Sequence, residues 1–114
     1  GQSPTGVAKD GTHIWVTNFF SKTVTKLRAS DGFELGTFAV GDGPAGLAFD
    51  GSSVWVANNG ANTVMKLRAS DGALLGTIAV GENPFNIVFD GASLWVSNFG
   101  SNTLSTSLLL VRAQ

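Results

Sequence analysis

Apolar and polar side chains alternate along short segments of this chain, and each segment ends at a cluster of turn residues. In the middle of the chain four such segments cover residues 45–49, 53–58, 63–68 and 75–80. A period of two predicts β-strands, and the segments are too short for stable helices. The pattern therefore predicts an up-and-down antiparallel sheet, whose strands we call A, B, C and D in chain order.

Turn residues separate the four predicted strands. Asp50-Gly51 lies between strands A and B, and Asp-Gly is a strong signal for a two-residue hairpin. We expect a type I′ turn there, with positive φ at both central residues. Asn58-Asn59-Gly60 and Ser70-Asp71-Gly72 end strands B and C in the same way.

The same pattern repeats every 40 residues. Trp15, Trp55 and Trp95 are 40 positions apart, and residues 1–40 and 41–80 are identical at 23 positions. We divide the single predicted domain, 1–114, into repeats 1–40, 41–80 and 81–114. The last repeat is incomplete, because 105–114 departs from the pattern.

Each predicted sheet is apolar on both faces. Val54 and Val56 point away from Trp55, so the sheet needs an apolar neighbour on each side. Radial stacking of four-stranded blades meets this need. The predicted fold class is all-β, a β-propeller fragment of about three four-stranded antiparallel blades. We expect two copies to close a six-bladed ring as a homodimer, since an open arc exposes apolar faces.

The motif Trp-Val-Xaa-Asn occurs at Trp15, Trp55 and Trp95, before the Asn-Thr-Val-Xaa-Lys-Leu of the second repeat. It resembles the bacterial YVTN-type β-propeller repeats, and it is similar to lyase-like and NHL propellers. The resemblance covers residues 1 to about 104 and implies a secreted or periplasmic protein. Lyase-like propellers carry a catalytic histidine and a magnesium site, but no position here matches that histidine's motif.

Composition narrows the possible partners. The net charge is −1, so the chain does not have the excess of basic residues that nucleic-acid binding needs. We therefore expect no nucleic-acid partner. The longest purely apolar run, Leu108 to Val111, is too short for a membrane helix, and no membrane partner is expected. There is no cysteine, which excludes thiolate metal sites. No cofactor, metal site or catalytic residue is predicted.

The segment 105–114 replaces the Lys-Leu-Arg-Ala-Ser-Asp-Gly of the other repeats and has no recognisable strand D. Two explanations stay open at this point. The segment is either an atypical terminal repeat, or the product of a truncated or frame-shifted reading of a longer propeller gene.

Functional candidates lie where the repeats differ, at the B–C and D–A connections and on strand A. These connections gather on one face of a propeller, and binding usually resides in loops on a rigid scaffold. The alternative is neutral drift in tolerant loops. The predicted ligand-binding residues are Phe19, Phe20, Lys22, Asp42, Asn59, Asn62, Glu82, Asn83, Phe85, Asn86, Phe99 and Asn102.

The resulting functional prediction is a non-catalytic binding or interaction scaffold that assembles with itself. A lyase-like enzyme fragment and a fragment without selected activity are the alternatives. A small-molecule or protein ligand would bind on the face where the B–C and D–A connections gather.

Recurring residues receive structural interpretations. Trp15, Trp55 and Trp95 are predicted to pack between blades, and Asn18, Asn58 and Asn98 to organise the turn after strand B. Lys26 is predicted to lie on a solvated strand face. The single histidine, His13, occupies a position filled by serine in the other repeats and is predicted to face solvent.

Overall fold

The fold is built from strands throughout the part of the chain that the computed structural model describes, residues 4–80, 84–89, 91, 94–98 and 103–105. The first blade contains β1 (Pro4–Asp10), β2 (His13–Asn18), β3 (Thr23–Arg28) and β4 (Glu34–Ala39). The second contains β5 (Pro44–Phe49), β6 (Ser53–Asn58), β7 (Thr63–Arg68) and β8 (Leu74–Ala79). The third contains β9 (Pro84–Phe89), β10 (Leu94–Asn98) and β11 (Thr103–Ser105).

Each blade is an antiparallel sheet in which consecutive strands are neighbours. The strands predicted in the second repeat are confirmed to within one residue at either end. Residues 106–114 lie outside the described residues. The prediction that the third repeat has no strand D falls on this segment. Within the described part of the chain, no helix is long and apolar enough to cross a membrane.

The A–B turns differ from the prediction. A type I′ turn would place both central residues at positive φ, but in the A–B turn of the first blade Gly11 has positive φ (74°) and its neighbours Asp10 and Thr12 do not. In the second blade Gly51 has a φ of 108° and Asp50 keeps a negative φ. The prediction of a type I′ turn was wrong because the aspartate keeps a negative φ: Asp10 is the last residue of β1, and Asp50 uses its side chain to accept the N–H groups of Ser52 and Ser53.

Every blade has two distinct faces. We call the face that carries the tryptophan the Trp face and the opposite one the Val face. The core between the first two blades packs the Trp face of one, with Trp15 and Val24, against the Val face of the other, with Val54 and Val56. The core between the second and third blades repeats this arrangement with Trp55 and Val64 against Leu94 and Val96.

The tryptophans confirm that packing between blades determines burial. Trp15 and Trp55 are 0% exposed in these cores, as predicted. Trp95, on the Trp face of the third blade, is 36% exposed, contrary to the prediction, because no further blade covers it in the described part of the chain. At the other end of the stack, Val7 on the Val face of the first blade is 68% exposed. Among the described residues, nothing covers the Trp face of the third blade or the Val face of the first.

Lys26 is not solvated, contrary to the prediction. It lies on the Trp face of the first blade with only 8% exposure, and its Nζ lies 5.3 Å from the centroid of the Trp15 ring. The ammonium donates a hydrogen bond to the Ala69 carbonyl of the second blade at 2.8 Å. The side chain crosses a junction, where its apolar stem and charged end both find partners.

Asn18 and Asn58 are buried, and they bind side chains rather than the turn backbone. Asn18 Nδ2 donates to the hydroxyls of Thr23 (3.1 Å) and Thr25 (2.9 Å) on β3. Asn58 Nδ2 donates to Thr63 on β7 at 3.3 Å. The predicted structural role is correct, but these bonds connect strand B to strand C within a blade.

Candidate functional site

The first strands of the blades line the inner edge of the stack. β1 contacts β5, and β5 contacts β9. A Cβ on Gly6 would lie 2.1 Å from the Ala45 carbonyl oxygen, and one on Gly46 would lie 2.4 Å from that of Phe85. Real Cβ atoms do not approach oxygens this closely, so glycine is what allows neighbouring first strands to approach. Thr17 also donates its hydroxyl to Ala45 O at 2.7 Å.

A small cavity of about 150 Å³ lies along these strands and contains two predicted site residues, Phe85 and Asn86. Both side chains are exposed, Phe85 by 49%. Asn86 occupies the position that Gly6 and Gly46 hold in the other blades. The inner edge therefore carries a larger polar side chain on the third blade alone.

The B–C and D–A loops come together at one end of the first two blades, as predicted. The Asn59 N–H donates to the Gly43 carbonyl at 2.8 Å, and the Gly60 N–H donates to the Asp42 carbonyl at 2.9 Å. Lys22 Nζ lies 3.0 Å from Asp42 Oδ1 across these loops, with both side chains about 60% exposed. We call residues 19–22, 40–43 and 59–62 the loop face.

Two aromatic rings stand at the loop face. Phe19 contacts the backbone region of Gly43, where an added Cβ would lie 3.1 Å from its ring. Phe20 stacks edge-on against Phe19, with ring centroids 5.2 Å apart, and is itself 69% exposed. Phe19 therefore packs on the scaffold, whereas Phe20 presents an apolar surface beside the Lys22–Asp42 ion pair.

Lys22 and Asn62 have a backbone role that the sequence did not suggest. They occupy equivalent positions and have left-handed backbones, with φ of 57° and 56°. Their carbonyls accept the N–H groups of Val40 and Val80, at 3.0 and 3.1 Å. Asparagine favours this conformation, but lysine does not. Asn59 is also structural, since its Nδ2 donates to the Pro84 carbonyl of the third blade at 3.2 Å.

The structure thus brings Phe19, Phe20, Lys22, Asp42 and Asn59 together, with Asn62 in the same loop as Asn59. Phe85 and Asn86 lie on the inner edge instead. The remaining predicted site residues, Glu82, Asn83, Phe99 and Asn102, lie outside the described residues.

The opposite end of the blades holds contacts that the sequence analysis missed. Asp10 Oδ2 accepts the indole N–H of Trp15 at 2.6 Å, and Asp50 Oδ2 accepts that of Trp55 at 2.7 Å. The 40-residue spacing of Asp and Trp was the available signal. His13 is half-buried, with Nδ1 3.3 Å from Asp10 Oδ1, so it lies beside a carboxylate rather than simply facing solvent.

Asp50 is held in its charged form. Burial disfavours the charge, but hydrogen bonds from the Ser52 N–H, the Trp55 indole and the Ser53 N–H, together with the nearby Lys66, outweigh that effect. The net result is that the pKa of Asp50 is lower than usual. The carboxylate therefore connects the A–B turn to the buried tryptophan.

We predict that acid removes this contribution to stability. Because the pKa is lower in the folded state, the contribution is complete above the unfolded aspartate pKa of about 3.9 and is lost as the pH falls through the folded value. In urea denaturation between pH 7 and about pH 2.5, Asp50→Asn should lose less unfolding free energy on acidification than the parent chain.

Asp71→Asn is the matched control for this experiment. The pKa of Asp71 is also lowered, chiefly by the Ala73 N–H, but the side chain is exposed, so this variant should keep most of the parent's acid dependence. Equal acid dependence in Asp50→Asn and the parent would contradict the assignment.

The loop face offers an exposed ring, an exposed ion pair and the amide groups of Asn59 and Asn62 to a neighbouring molecule. In the described part of the chain, no three histidine, aspartate or glutamate side chains are close enough together to hold a metal ion.

No protein family and no curated protein matches the chain. Solved structures do. Hydrazine synthase from Kuenenia stuttgartiensis matches with a TM-score of 0.78 and 25% identity, over 83% of this chain and 29% of its own. A functionally unknown protein from Desulfotomaculum acetoxidans DSM 771 matches with a TM-score of 0.73 and 25% identity, over 93% and 41%.

AztD from Citrobacter koseri matches with a TM-score of 0.68 and 17% identity, over 76% of this chain and 26% of its own. Hydrazine synthase and AztD are β-propeller-like proteins with four-stranded antiparallel sheets. The chain has a β-propeller fold. It spans between about a quarter and two-fifths of the length of these structures.

Proposed function

We propose that the protein is a non-catalytic β-propeller module of the YVTN type that acts as a binding scaffold and completes its ring by pairing with a second copy. One observation carries the proposal: in the part of the chain that the structure describes, the stack ends in two uncovered faces of opposite type. The third blade offers a Trp face with Val88 and Trp95 exposed, and the first offers a Val face with Val7 exposed.

Both junctions inside the chain join a Trp face to a Val face. The two uncovered faces match the two sides of such a junction. They cannot meet within one three-blade arc, because the second blade lies between them. Two copies related by a two-fold axis would join both pairs at once and give a ring of six blades.

The proposed binding surface is the loop face, which a dimer would present twice. Its exposed Phe20 ring and its Lys22–Asp42 ion pair give it apolar and charged contacts for a small-molecule or protein ligand. The fold alone does not select a ligand, because function depends on the site rather than on the propeller.

The junction between copies must differ from the internal ones at its inner end. Asn86 stands where Gly6 and Gly46 allow the next first strand to approach. With a side chain at this position, β1 of the second copy would lie further from β9 than β5 lies from β1. The ring would therefore be wider at these two seams.

The experiment is the solution mass of the chain, measured by light scattering over a range of concentrations. We expect about 23.6 kDa, twice the monomer mass of 11.8 kDa. Val88→Asp should abolish the dimer, because it places a charge at the centre of the proposed junction. A parent chain that stays at the monomer mass at every concentration would refute the proposal.

Leu74→Asp is the matched control. Leu74 is 57% exposed, close to the 59% of Val88, but it lies on the outer strand β8 of the middle blade. This variant should dimerise as the parent does. Equal loss of the dimer in both variants would point to a general effect of added charge and would contradict the proposed interface.

A further inference from the structure

Asn59 and Gly60 form an Asn-Gly pair on the loop face, and this pair occurs once in the sequence. Asparagine followed by glycine is the pair most prone to deamidation, because glycine has no side chain to keep its backbone nitrogen away from the asparagine side chain. The position of Asn59 is held by phenylalanine in the other repeats, Phe19 and Phe99. The reactive pair is therefore a property of the second repeat and not of the blade pattern.

Both reacting groups are held by hydrogen bonds in the folded chain. The nitrogen that reacts belongs to the Gly60 N–H, which donates to the Asp42 carbonyl at 2.9 Å. The side chain that reacts is the Asn59 amide, whose Nδ2 donates to the Pro84 carbonyl at 3.2 Å. The first bond lies within the second repeat, whereas the second bond crosses to the third blade.

The backbone of the pair is held as well. Asn59 and Gly60 are the central residues of a turn that the Ala61 N–H closes on the Asn58 carbonyl at 3.1 Å. Such a turn sets the dihedral angles of its central residues. For the Gly60 nitrogen to attack the amide carbon, the loop must therefore open first.

We propose that Asn59 is a site of spontaneous deamidation, and that it reacts when the loop face opens from the third blade. The chain then records, as a permanent change of one side chain, how often the junction between the second and third blades opens at this end. Opening of a local segment costs less free energy than global unfolding, so the reaction rate follows the population of the open loop. The inference concerns the single chain and does not depend on a second copy.

The reaction is an intramolecular substitution that needs water and no other reagent. The Gly60 nitrogen forms a bond to the Asn59 amide carbon, and the bond from that carbon to Nδ2 breaks. The proton of the attacking N–H leaves with Nδ2 as ammonia. Water then opens the resulting cyclic imide at either carbonyl, which gives aspartate or isoaspartate. In isoaspartate the backbone continues through the side-chain carbon.

Either product weakens the attachment of the loop face to the third blade. A carboxylate has no N–H to donate to the Pro84 carbonyl, so two oxygens would face each other in place of the hydrogen bond. The new negative charge also lies in the loop that contacts Asp42, whose carboxylate already pairs with Lys22. A modified chain therefore opens more readily at this end than an unmodified one.

The test follows deamidation of Asn59 in the full chain by peptide mapping with mass spectrometry. The chain is incubated at one pH, both folded and in concentrated guanidinium chloride. We expect the reaction to be at least about tenfold slower in the folded chain, because both reacting groups are held there. Asn62 is the internal control: it lies in the same loop but precedes Thr63, so it should stay unmodified over the same time.

Each outcome of this comparison decides a separate part of the proposal. Equal rates at Asn59 in the folded and the denatured chain would overturn the control of the reaction by the fold. Absence of reaction in both states would overturn the site itself.

Gly46→Ala tests which junction controls the reaction. Its added Cβ would lie 2.4 Å from the Phe85 carbonyl oxygen of the third blade, so it should loosen this junction and speed deamidation of Asn59 at least about tenfold. Gly6→Ala is the matched control, because its Cβ would lie 2.1 Å from the Ala45 carbonyl oxygen at the other junction. It should change the rate by less than about twofold. Equal acceleration in both variants would mean that the reaction follows global unfolding, and would overturn opening at the third blade.

A measurement on the parent chain alone tests the consequence of the reaction. Ion exchange separates chains that carry the additional negative charge from unmodified chains of the same sample. The modified fraction should unfold at a lower urea concentration, because it has lost a hydrogen bond between the loop face and the third blade. An unchanged midpoint would overturn the proposed loss of attachment.

Discussion

Replacing Gly46 by alanine is expected to lower the free energy of unfolding by about 3 kcal/mol, the upper end of the usual cost of overpacking. The added Cβ would lie 2.4 Å from the Phe85 carbonyl oxygen and 3.2 Å from the Asn86 Cα, both in the backbone of β9. A strand held in a sheet cannot move aside as a flexible side chain can. The third blade must therefore shift away from the second, and the core around Trp55 loses contacts.

Gly76→Ala is the control for this prediction. Gly76 lies on the outer strand β8, has no positive φ, and has nothing within 4 Å of an added Cβ. Its replacement should leave stability unchanged or raise it slightly, because alanine restricts the unfolded chain. Urea denaturation of both variants measures the difference. Equal unfolding free energies would show that the first strands do not approach as closely as described.

The same steric argument applies to Asn86, which holds the position of Gly46 in the third blade. If close approach of the first strands requires glycine, then Asn86→Gly should allow a tighter junction with a second copy than the parent forms. The position thus links a steric feature inside the chain to the geometry of the proposed ring.

The sequence was sufficient to predict the blades because the strands are short, regular and repeated. Alternation around Trp55 predicted which side chains share a face, and the 40-residue period predicted that successive sheets stack. The apolar character of both faces implied neighbouring blades. The burial of Trp15 and Trp55 confirms this for the Trp faces of the first two blades. These conclusions need only local periodicity and the cost of exposing apolar surface.

Contacts across the junctions between blades could not be predicted from the alternation of apolar and polar residues. Lys26 reads as a solvated residue when its strand is considered alone, and only the adjacent blade supplies the Ala69 carbonyl that makes its burial favourable. The Asp50–Trp55 hydrogen bond was missed for a related reason. A turn signal was assigned to a residue whose side chain also reaches the core.

The candidate site was predicted in part. The topology brings the B–C and D–A connections to one end, so Phe19, Asp42 and Asn59 meet there as expected. Variation between repeats did not distinguish residues exposed at the loop face from residues that support the scaffold. Lys22 and Asn62 have a left-handed backbone, and no sequence signal marks a lysine for that conformation.

Trp55→Ala is expected to lower the free energy of unfolding by about 4 kcal/mol, whereas Trp95→Ala should cost less than half of that in the single chain. The two residues occupy equivalent positions, but Trp55 is fully buried between two blades and Trp95 is 36% exposed. Trp55→Ala leaves a cavity in the core between the second and third blades and removes the partner of the Asp50 carboxylate. Urea denaturation at concentrations where the chain is monomeric measures both costs.

For dimer formation, the two variants should rank in the opposite order: Trp95→Ala should have the larger effect. Trp95→Ala removes the centre of the uncovered Trp face, so it should raise the dimer dissociation constant by at least tenfold while the monomer remains folded. Trp55→Ala acts at an internal junction and should affect the dimer only through loss of folded chain. Equal costs in stability, or an unchanged dissociation constant for Trp95→Ala, would mean that the third blade's Trp face is not the surface on which the second copy packs.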